Sequence, residues 1–293
     1  MKNLTLWTAL ITPMHQDGSI HFEDLEHLAK RQDEAGVGIL LAGSTGEGLA
    51  LTDDEKIQIV EFVAGLNLSV PVMVGVGGFN HTKQAEWITY CNHLDVDAFL
   101  LVTPLYAKPG VKGQIAWFRH LLDVSNKPCM LYNIPSRTGM KMSPDVLIQL
   151  TDHKNLWALK EASGSVSDFK SFRKSSPWLP LFSGDDALIP DFAIEGGKGL
   201  VSVASNIWPE ATKLYVEKCL SGDTDSLFPV WPDAIKALFS AANPIPAKRL
   251  LNETGIISEI ALRLPLVEDD LSSVESLLKA DQEIKNWYKT NIK

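Results

Sequence analysis

Trp157-Ala158-Leu159-Lys160-Glu161-Ala162-Ser163 places a lysine at the end of a short apolar run, just before a serine- and glycine-rich turn. A run that is apolar on both faces predicts a strand of a parallel sheet covered on both sides. A lysine in such a run lies either at the solvent-facing end of the strand or in a site that desolvates its charge. Taken by itself, the stretch favours the solvent-facing interpretation, and the rest of the sequence reverses that preference.

Seven further apolar runs of strand length occur along the first three quarters of the chain. They lie at residues 7–11, 38–42, 71–76, 98–103, 129–134, 179–183 and 199–203. Together with residues 156–160 they make eight candidate strands whose ends are 20 to 34 residues apart, which leaves room for one helix in each gap. Eight such units predict an α/β fold, a (β/α)8 TIM barrel, and an open doubly wound sheet is the alternative.

Helix signals fall in the gaps between these runs. Thr52 and Glu55 form a capping box, Ser143 precedes a proline at a first helical position, and Gly196-Gly197 predicts the end of a helix.

After residue 222 the strand signals stop, and three helices are predicted, at 225–242, 247–253 and 270–288. We therefore expect a catalytic barrel domain at 1–222 and a C-terminal helical domain at 223–293. The second is too small to bury much apolar surface by itself, so it should pack on the barrel or on a second subunit.

The composition narrows the classes of partner. The chain has 293 residues and a net charge of -9, which argues against nucleic acid or an anionic membrane as partner. No apolar stretch reaches the roughly 18 residues of a membrane helix, and residues 4–14 read as a first strand instead of a signal peptide. The three cysteines (Cys91, Cys129, Cys219) are scattered, which fits a reducing cytoplasm.

Small and hydroxylic residues follow the second predicted strand, in Gly43-Ser44-Thr45-Gly46-Glu47-Gly48. Successive backbone N–H groups in such a loop can form a concavity for a carboxylate or phosphate, although a plain turn explains the glycines equally well. The adjacent hydroxyls at the carboxyl end of a strand favour the anion-binding interpretation.

Two tyrosines and an arginine also fall at strand ends. Tyr106 and Tyr132, each more often a packing residue when alone, could form a proton relay if they converge with the hydroxyls and the lysine. Arg137 is either one half of a surface ion pair or a bidentate clamp for a carboxylate.

Metal and nucleotide chemistry find little support in the sequence. The seven histidines show no i,i+4 pair and no HExxH, and Asp185-Asp186 is explained more simply as the N-cap of the following helix. Gly75 and Gly77 match the first two glycines of the dinucleotide-binding pattern GxGxxG, but Asn80 stands where the third glycine is required. Lys160 is therefore the candidate nucleophile, and desolvation would have to lower its pKa from about 10.4 to roughly 7–8. We infer a Schiff-base enzyme that uses no metal and no cofactor.

The motifs at these strand ends resemble, in order and spacing, those of the dihydrodipicolinate synthase family, over nearly the whole chain. The matching motifs are Gly43-Ser44-Thr45-Gly46-Glu47, Val102-Thr103-Pro104-x-Tyr106, Tyr132-Asn133-Ile134-Pro135-x-Arg137-Thr138-Gly139, Lys160-Glu161, Ser183-Gly184-Asp185 and Asn243-Pro244-Ile245-Pro246-x-Lys248.

The resemblance implies a homotetramer, built as a dimer of dimers, that condenses pyruvate with L-aspartate 4-semialdehyde in lysine and diaminopimelate biosynthesis. The alternatives are another pyruvate-dependent aldolase or lyase, such as a sialate lyase, or a non-catalytic barrel that binds a keto acid. Ser44-Thr45 is typical of the sialate lyases, whereas Arg137 favours the synthases.

The family also implies a role for each matching residue. In this family Lys160 would form an imine with pyruvate, and Tyr132 would move protons to and from that imine. Ser44 and Tyr106 would complete the proton relay, with Tyr106 contributed by the neighbouring subunit. The implied substrate contacts are Thr45 for the pyruvate carboxylate, Arg137 for the semialdehyde carboxylate, and Gly184 and Val201 for the pocket wall.

One departure from the family pattern concerns feedback by lysine. Regulated synthases line an interface pocket with histidines, a glutamate and a second tyrosine, and the matching positions here are Asp53, Lys56, Gln84 and Leu105. Loss of the acidic and phenolic partners for an α-amino group predicts weak lysine binding or none.

Overall fold

Eight parallel strands close into a barrel in the computed structural model, which describes residues 4–292. The pairing runs in sequence order, and the last strand pairs with the first. This confirms the predicted barrel, and the open-sheet alternative is wrong. The strands are β1 (Leu6–Ala9), β2 (Gly38–Leu41), β3 (Val72–Val76), β4 (Ala98–Val102), β5 (Cys129–Asn133), β6 (Leu156–Glu161), β7 (Leu181–Ser183) and β8 (Gly199–Ser202).

Helices fill every gap between strands. Thr52 caps its helix as predicted: its hydroxyl accepts from the N–H of Glu55 at 3.2 Å, and the Glu55 carboxylate accepts from the N–H of Thr52 at 2.8 Å. The barrel helices are α1 (Phe22–Ala35), α2 (Asp53–Ala64), α3 (His81–Cys91), α4 (Val111–Val124), α5 (Pro135–Thr138), α6 (Pro144–Gln149), α7 (Val166–Ser175), α8 (Ile189–Ile194) and α9 (Pro209–Ser221). Between residues 4 and 292, none of the helices has the length and apolar character needed to cross a bilayer.

Apolar side chains pack in two separate layers because residues along each strand alternate between the two faces of the sheet. One layer fills the barrel interior, with Met130 and Tyr132 from β5 and Ala158 from β6. The other lies between the strands and the helices and includes Leu131 and Leu159. Lys160, one residue beyond Leu159, therefore belongs to the inward-facing set.

The pairing of β5 with β6 contains an irregularity near the start of both strands. Cys129 pairs with Leu156, but the next residue, Met130, pairs with Ala158, so Trp157 is an extra residue on β6. From there the register is regular, and Tyr132 lies opposite Lys160. Because a shift of one residue moves every side chain to the other face, this bulge sets which residues of β6 point inward.

Three further helices follow the barrel, and one of them departs from its prediction. They are α10 (Val230–Leu238), α11 (Ile245–Glu253) and α12 (Glu275–Asn291). The predicted single helix over 225–242 is wrong, because only residues 230–238 are α-helical and a separate 3-10 turn covers 225–227. Phe228 is extended, as the residue before a proline prefers to be, and this separates the two pieces.

The C-terminal helices pack on the barrel, as their small size predicted. Trp231 of α10 stacks on Tyr215 of α9 with ring centroids 4.1 Å apart, and Trp287 of α12 meets Trp231 edge-on. The indole of Trp208 donates to the carboxylate of Asp281 at 2.9 Å. These contacts bring the segment that connects α10 to α11 over the carboxyl ends of the strands.

Candidate active site

A cavity of about 370 Å³ opens at the carboxyl ends of the barrel strands. It brings together seven of the eight residues that the sequence proposed for the site. Its lining includes Ser44, Thr45, Tyr132, Arg137, Lys160, Gly184 and Val201. Tyr106 is the one proposed residue that is missing from this lining.

Lys160 extends into the barrel interior, where only 5% of its surface is exposed. Burial lowers the pKa of its amine to about 7, because the low-dielectric interior disfavours the ammonium form. The carboxylate of Asp186 acts in the opposite direction and raises this pKa, whereas the positive charge of Arg137 lowers it further. At neutral pH a large fraction of the amine is therefore neutral and can attack a carbonyl carbon.

Tyr132 lies beside Lys160 on the neighbouring strand, and the lysine Nζ is 4.3 Å from the centroid of the phenol ring. Burial raises the pKa of Tyr132 to about 12, although the charge of Arg137 and a hydrogen bond with Ser44 lower it in part. The phenol is thus protonated at neutral pH. It can donate a proton and recover it through the Ser44 hydroxyl, which is exposed to the cavity.

The loop after β2 is held against the C-terminal segment. Thr45 is buried, and its hydroxyl accepts from the side-chain amide of Asn243 at 2.9 Å. Glu47 has a φ of 52°, an uncommon value for a residue with a side chain. Its buried carboxylate forms an ion pair with Lys248 and accepts from the N–H of Arg263 at 3.0 Å. These contacts compensate for the strained backbone and fix the shape of the loop.

Gly184 and Val201 form the wall of the cavity next to the lysine. A Cβ added to Gly184 would lie 2.7 Å from Cε of Lys160 and 2.8 Å from Cβ of Ala162, which is too close for either contact. Only glycine leaves the lysine side chain its space. Val201 is 1% exposed and closes the cavity from β8.

The pair Asp185-Asp186 does not cap the helix that follows, so that prediction is wrong. Helix α8 begins after Leu188, which makes no side-chain cap hydrogen bond. Asp186 instead reaches across to the end of β8, where its carboxylate accepts from the hydroxyl of Ser202 and from the N–H of Val203 at 3.0 Å. The interaction bridges two neighbouring strand ends, and sequence capping rules contain no information about it.

Tyr106 is the one proposed residue that does not line the lysine cavity. Its side chain is 88% exposed, and its backbone has a φ of 65°. It lines an adjoining groove of about 990 Å³ that shares Ser44, Tyr132 and Arg137 with the cavity. The four positions tied to lysine feedback, Asp53, Lys56, Gln84 and Leu105, line this same groove.

The C-terminal segment contributes two cavity residues that the sequence did not reveal, Phe239 and Asn243. Asn243 also lies near Arg137. The guanidinium of Arg137 donates to the backbone carbonyl oxygen of Asn243 at 3.5 Å. The Oδ1 of Asn243 is buried and makes no hydrogen bond within the described residues. Asn243 belonged to a quoted motif, but its role depends on how the C-terminal helices pack.

One group of potential metal ligands occurs elsewhere among residues 4–292. His15, His21 and Glu259 have ligand atoms within 4.8 Å of one another, outside the lysine cavity. Hydrogen bonds already occupy this cluster: Nδ1 of His15 contacts Glu259 at 2.9 Å, and Nδ1 of His21 accepts from the N–H of Asp24 at 3.2 Å. The cluster fastens the C-terminal segment to the loop after β1.

Comparisons with known proteins agree with this geometry. The Dihydrodipicolinate synthetase family profile matches residues 2–283. The chain is 50% identical to a 4-hydroxy-tetrahydrodipicolinate synthase of Francisella philomiragia, over 98% of this chain and 97% of that protein. It is 43% identical to the enzyme of the same name from Wolbachia pipientis subsp. Culex pipiens, over 98% of both chains.

Solved structures agree as well. The synthase of Methylacidiphilum fumariolicum superposes with a TM-score of 0.92 at 30% identity, covering 98% of this chain and 97% of that one. The synthase of Cyanidioschyzon merolae with lysine bound has a TM-score of 0.86 at 32% identity, with the same coverage.

Replacement of Arg137 should change the protonation of Lys160. Because the guanidinium lowers the lysine pKa, Arg137→Ala should raise it, and less neutral amine should be present at pH 7. The pH dependence of Lys160 modification by trinitrobenzenesulfonate, followed by peptide mass spectrometry, measures this midpoint. Arg119→Ala, which removes a guanidinium from the exposed pair with Asp152, is the control. A midpoint that stays constant or falls in Arg137→Ala would contradict the account.

Proposed function

The chain belongs to the dihydrodipicolinate synthetase family, and we propose that Lys160 is the nucleophile of its reaction. The enzyme condenses pyruvate with L-aspartate 4-semialdehyde through a lysine Schiff base and gives 4-hydroxy-tetrahydrodipicolinate, the first committed step of lysine and diaminopimelate biosynthesis. The observation that carries the proposal is the buried amine of Lys160, with a pKa of about 7, lying against the ring of Tyr132.

Lys160 begins the reaction by attacking the keto carbon of pyruvate. The amine adds, a proton moves from nitrogen to the former keto oxygen, and loss of water leaves a protonated imine. The phenol of Tyr132 is positioned to donate the proton that makes this oxygen a leaving group, because its pKa of about 12 keeps it protonated. The hydroxyl of Ser44 lines the same cavity as the Tyr132 phenol and can return that proton.

The imine makes the pyruvate methyl group acidic, since the positive nitrogen accepts the electron pair that deprotonation releases. Loss of a methyl proton gives an enamine, and the enamine carbon attacks the aldehyde carbon of the semialdehyde. The aldehyde oxygen takes a proton and becomes the hydroxyl of the product. The substrate's own amine then attacks the imine carbon, which closes the ring and releases Lys160.

Thr45 and Arg137 are suited to bind the carboxylates of the two substrates. Thr45 is buried in the lining of the cavity, where its loop can hold the carboxylate of pyruvate. Arg137 lies at the exposed mouth, where its planar fork can bind the carboxylate of the semialdehyde. Gly184 and Val201 wall the space between them. A single positive side chain at the mouth also attracts an anionic substrate to a protein of net charge -9.

Assembly and organisation complete the proposal. A homotetramer built as a dimer of dimers is what the family resemblance implies for this chain, and the scattered cysteines favour a location in the cytoplasm. The division into a barrel domain at 1–222 and a helical domain at 223–293 is supported by the end of α9, where Gly222 has a φ of 80°. The exposed Tyr106, next to a groove that adjoins Tyr132, is suited to act in the site of a neighbouring subunit.

Reductive trapping tests the role of Lys160. Incubation with pyruvate and borohydride should add the mass of a reduced pyruvate adduct to the peptide that contains Lys160, and Lys160→Ala should give no adduct. Lys248→Ala removes the other buried lysine near the site and should leave the label on Lys160. An adduct on a different lysine, or none in the wild type, would contradict the proposal.

Mixed oligomers test whether Tyr106 acts across an interface. Tyr106→Phe removes only the hydroxyl and should lower kcat roughly a hundredfold, as loss of a proton carrier does. Co-expression of Tyr106→Phe with Lys160→Ala should restore activity well above either parent. One site in the mixed dimer then combines an intact lysine from one chain with an intact tyrosine from the other. Mixtures that stay as inactive as the parents would show that Tyr106 acts within its own chain or not at all.

Free lysine should be a poor inhibitor. Asp53 is engaged with the cations of Lys56 and Lys83 at 3.5 and 3.6 Å, so the groove offers an incoming α-amino group mainly positive charge and an apolar Leu105. In a coupled assay, millimolar L-lysine should leave the rate largely unchanged. Potent inhibition would show that other residues of the groove bind the amino acid.

A further inference from the structure

Asn133 and Glu161 are the residues that directly follow Tyr132 and Lys160 on β5 and β6. They lie opposite each other in the strand register, one step beyond the Tyr132–Lys160 pair. Since side chains alternate along a strand, they face the helix layer instead of the cavity. Both are completely buried, so neither can touch a substrate in the cavity.

A hydrogen-bonded link joins these two side chains. The amide nitrogen of Asn133 donates to one carboxylate oxygen of Glu161 at 2.7 Å. The other oxygen of Glu161 accepts from the N–H of Ser163 at 2.8 Å, and the amide oxygen of Asn133 accepts from the N–H of Met142 at 2.8 Å. The link therefore ties the two strand ends to each other and to the loops that follow them.

The carboxyl ends of β5 and β6 need such a link because the start of the same pair is irregular. The extra residue Trp157 interrupts the ladder between Cys129 and Met130. Beyond it, three regular pairs precede the Asn133–Glu161 pair at the strand ends. A shift between the two ends would change the distance between the Lys160 amine and the Tyr132 hydroxyl, and a misplacement of about 1 Å can cost roughly a hundredfold in rate.

We propose that Asn133 and Glu161 are positioning residues that fix the register of β5 against β6, and through it the geometry between Tyr132 and Lys160. This inference rests on the proposed roles of Lys160 and Tyr132. Neither residue of the link takes part in the chemistry itself. Both act from the outer face of the sheet on two residues of its inner face.

The donor and acceptor pattern of the link allows a reciprocal exchange. Glu161→Gln turns an acceptor into an NH₂ group that faces the NH₂ group of Asn133, and Asn133→Asp brings two carboxylates together. The double variant reverses the direction of the bond, because the new amide at position 161 would donate to the new carboxylate at position 133. The N–H groups of Ser163 and Met142 keep their acceptors. Either single change should disturb the register, and the double change should restore it.

The test measures the rate of pyruvate adduct formation at Lys160, trapped with borohydride, together with kcat and KM for pyruvate. Each single variant, assayed where circular dichroism shows it folded, should lose at least tenfold in trapping rate and in kcat. The double variant should recover to within about threefold of wild type. Asn133→Ser removes the hydrogen bond to Glu161 without bringing two amides or two carboxylates together. It replaces either single variant that does not fold.

Asn155→Ala is the matched control. The side chain of Asn155 also connects segments around β6, because its amide donates to the carbonyls of Leu122 and Ser125 at 3.1 and 2.6 Å. Asn155 precedes the strand, however, and does not line the cavity. It should lower stability and leave kcat and the trapping rate near wild type.

Three outcomes would overturn the inference. Folded single variants that trap pyruvate at the wild-type rate, or a double variant as slow as either single variant, would overturn the positioning role alone. Absence of an adduct in the wild type would instead overturn the proposed function, and the inference with it.

Discussion

Desolvation of one amine is the constraint on which this site depends. Lys160 is held inside a barrel whose other inward-facing residues are mostly apolar, and only 5% of its surface is exposed. An ammonium ion is costly there, so the neutral base that attacks a carbonyl is favoured without a partner to remove its proton. The barrel achieves this with backbone geometry, because the end of a strand projects its inward side chain directly into the cavity.

That geometry depends on features far apart in the sequence. The bulge at Trp157 sets which residues of β6 point inward, and the outer pair Asn133–Glu161 lies immediately beyond the two inward residues. On the other side of the cavity, Asn243 contacts Thr45 across 198 positions of sequence. The buried ion pair of Glu47 with Lys248 spans 201 positions. Buried ion pairs add little net stability, so their value here lies in holding one arrangement of the loop.

The sequence predicts the barrel well, because each strand is buried on both faces and appears as a compact apolar run. It also predicts most of the cavity, because in this fold the strand ends alone supply its walls. Sequence-based prediction fails for residues whose contacts lie far away in the sequence. Asp186 resembled a helix cap but binds the end of β8. Nothing local marks Asn243 as a cavity residue, and the helix predicted over 225–242 begins only at residue 230 because Phe228, which precedes a proline, is extended. The bulge has no compositional signal at all.

The protonation state of Lys160 can be measured directly by NMR. Selective labelling of lysine with ¹³C at Cε and ¹⁵N at Nζ, with Lys160→Ala to assign the resonance, would follow the amine through a pH titration of the free enzyme. We expect a midpoint near 7, because burial in the barrel lowers the pKa of this amine. A midpoint close to that of an exposed lysine, about 10.4, would contradict this expectation. The amine would then be charged at neutral pH and unable to start the reaction.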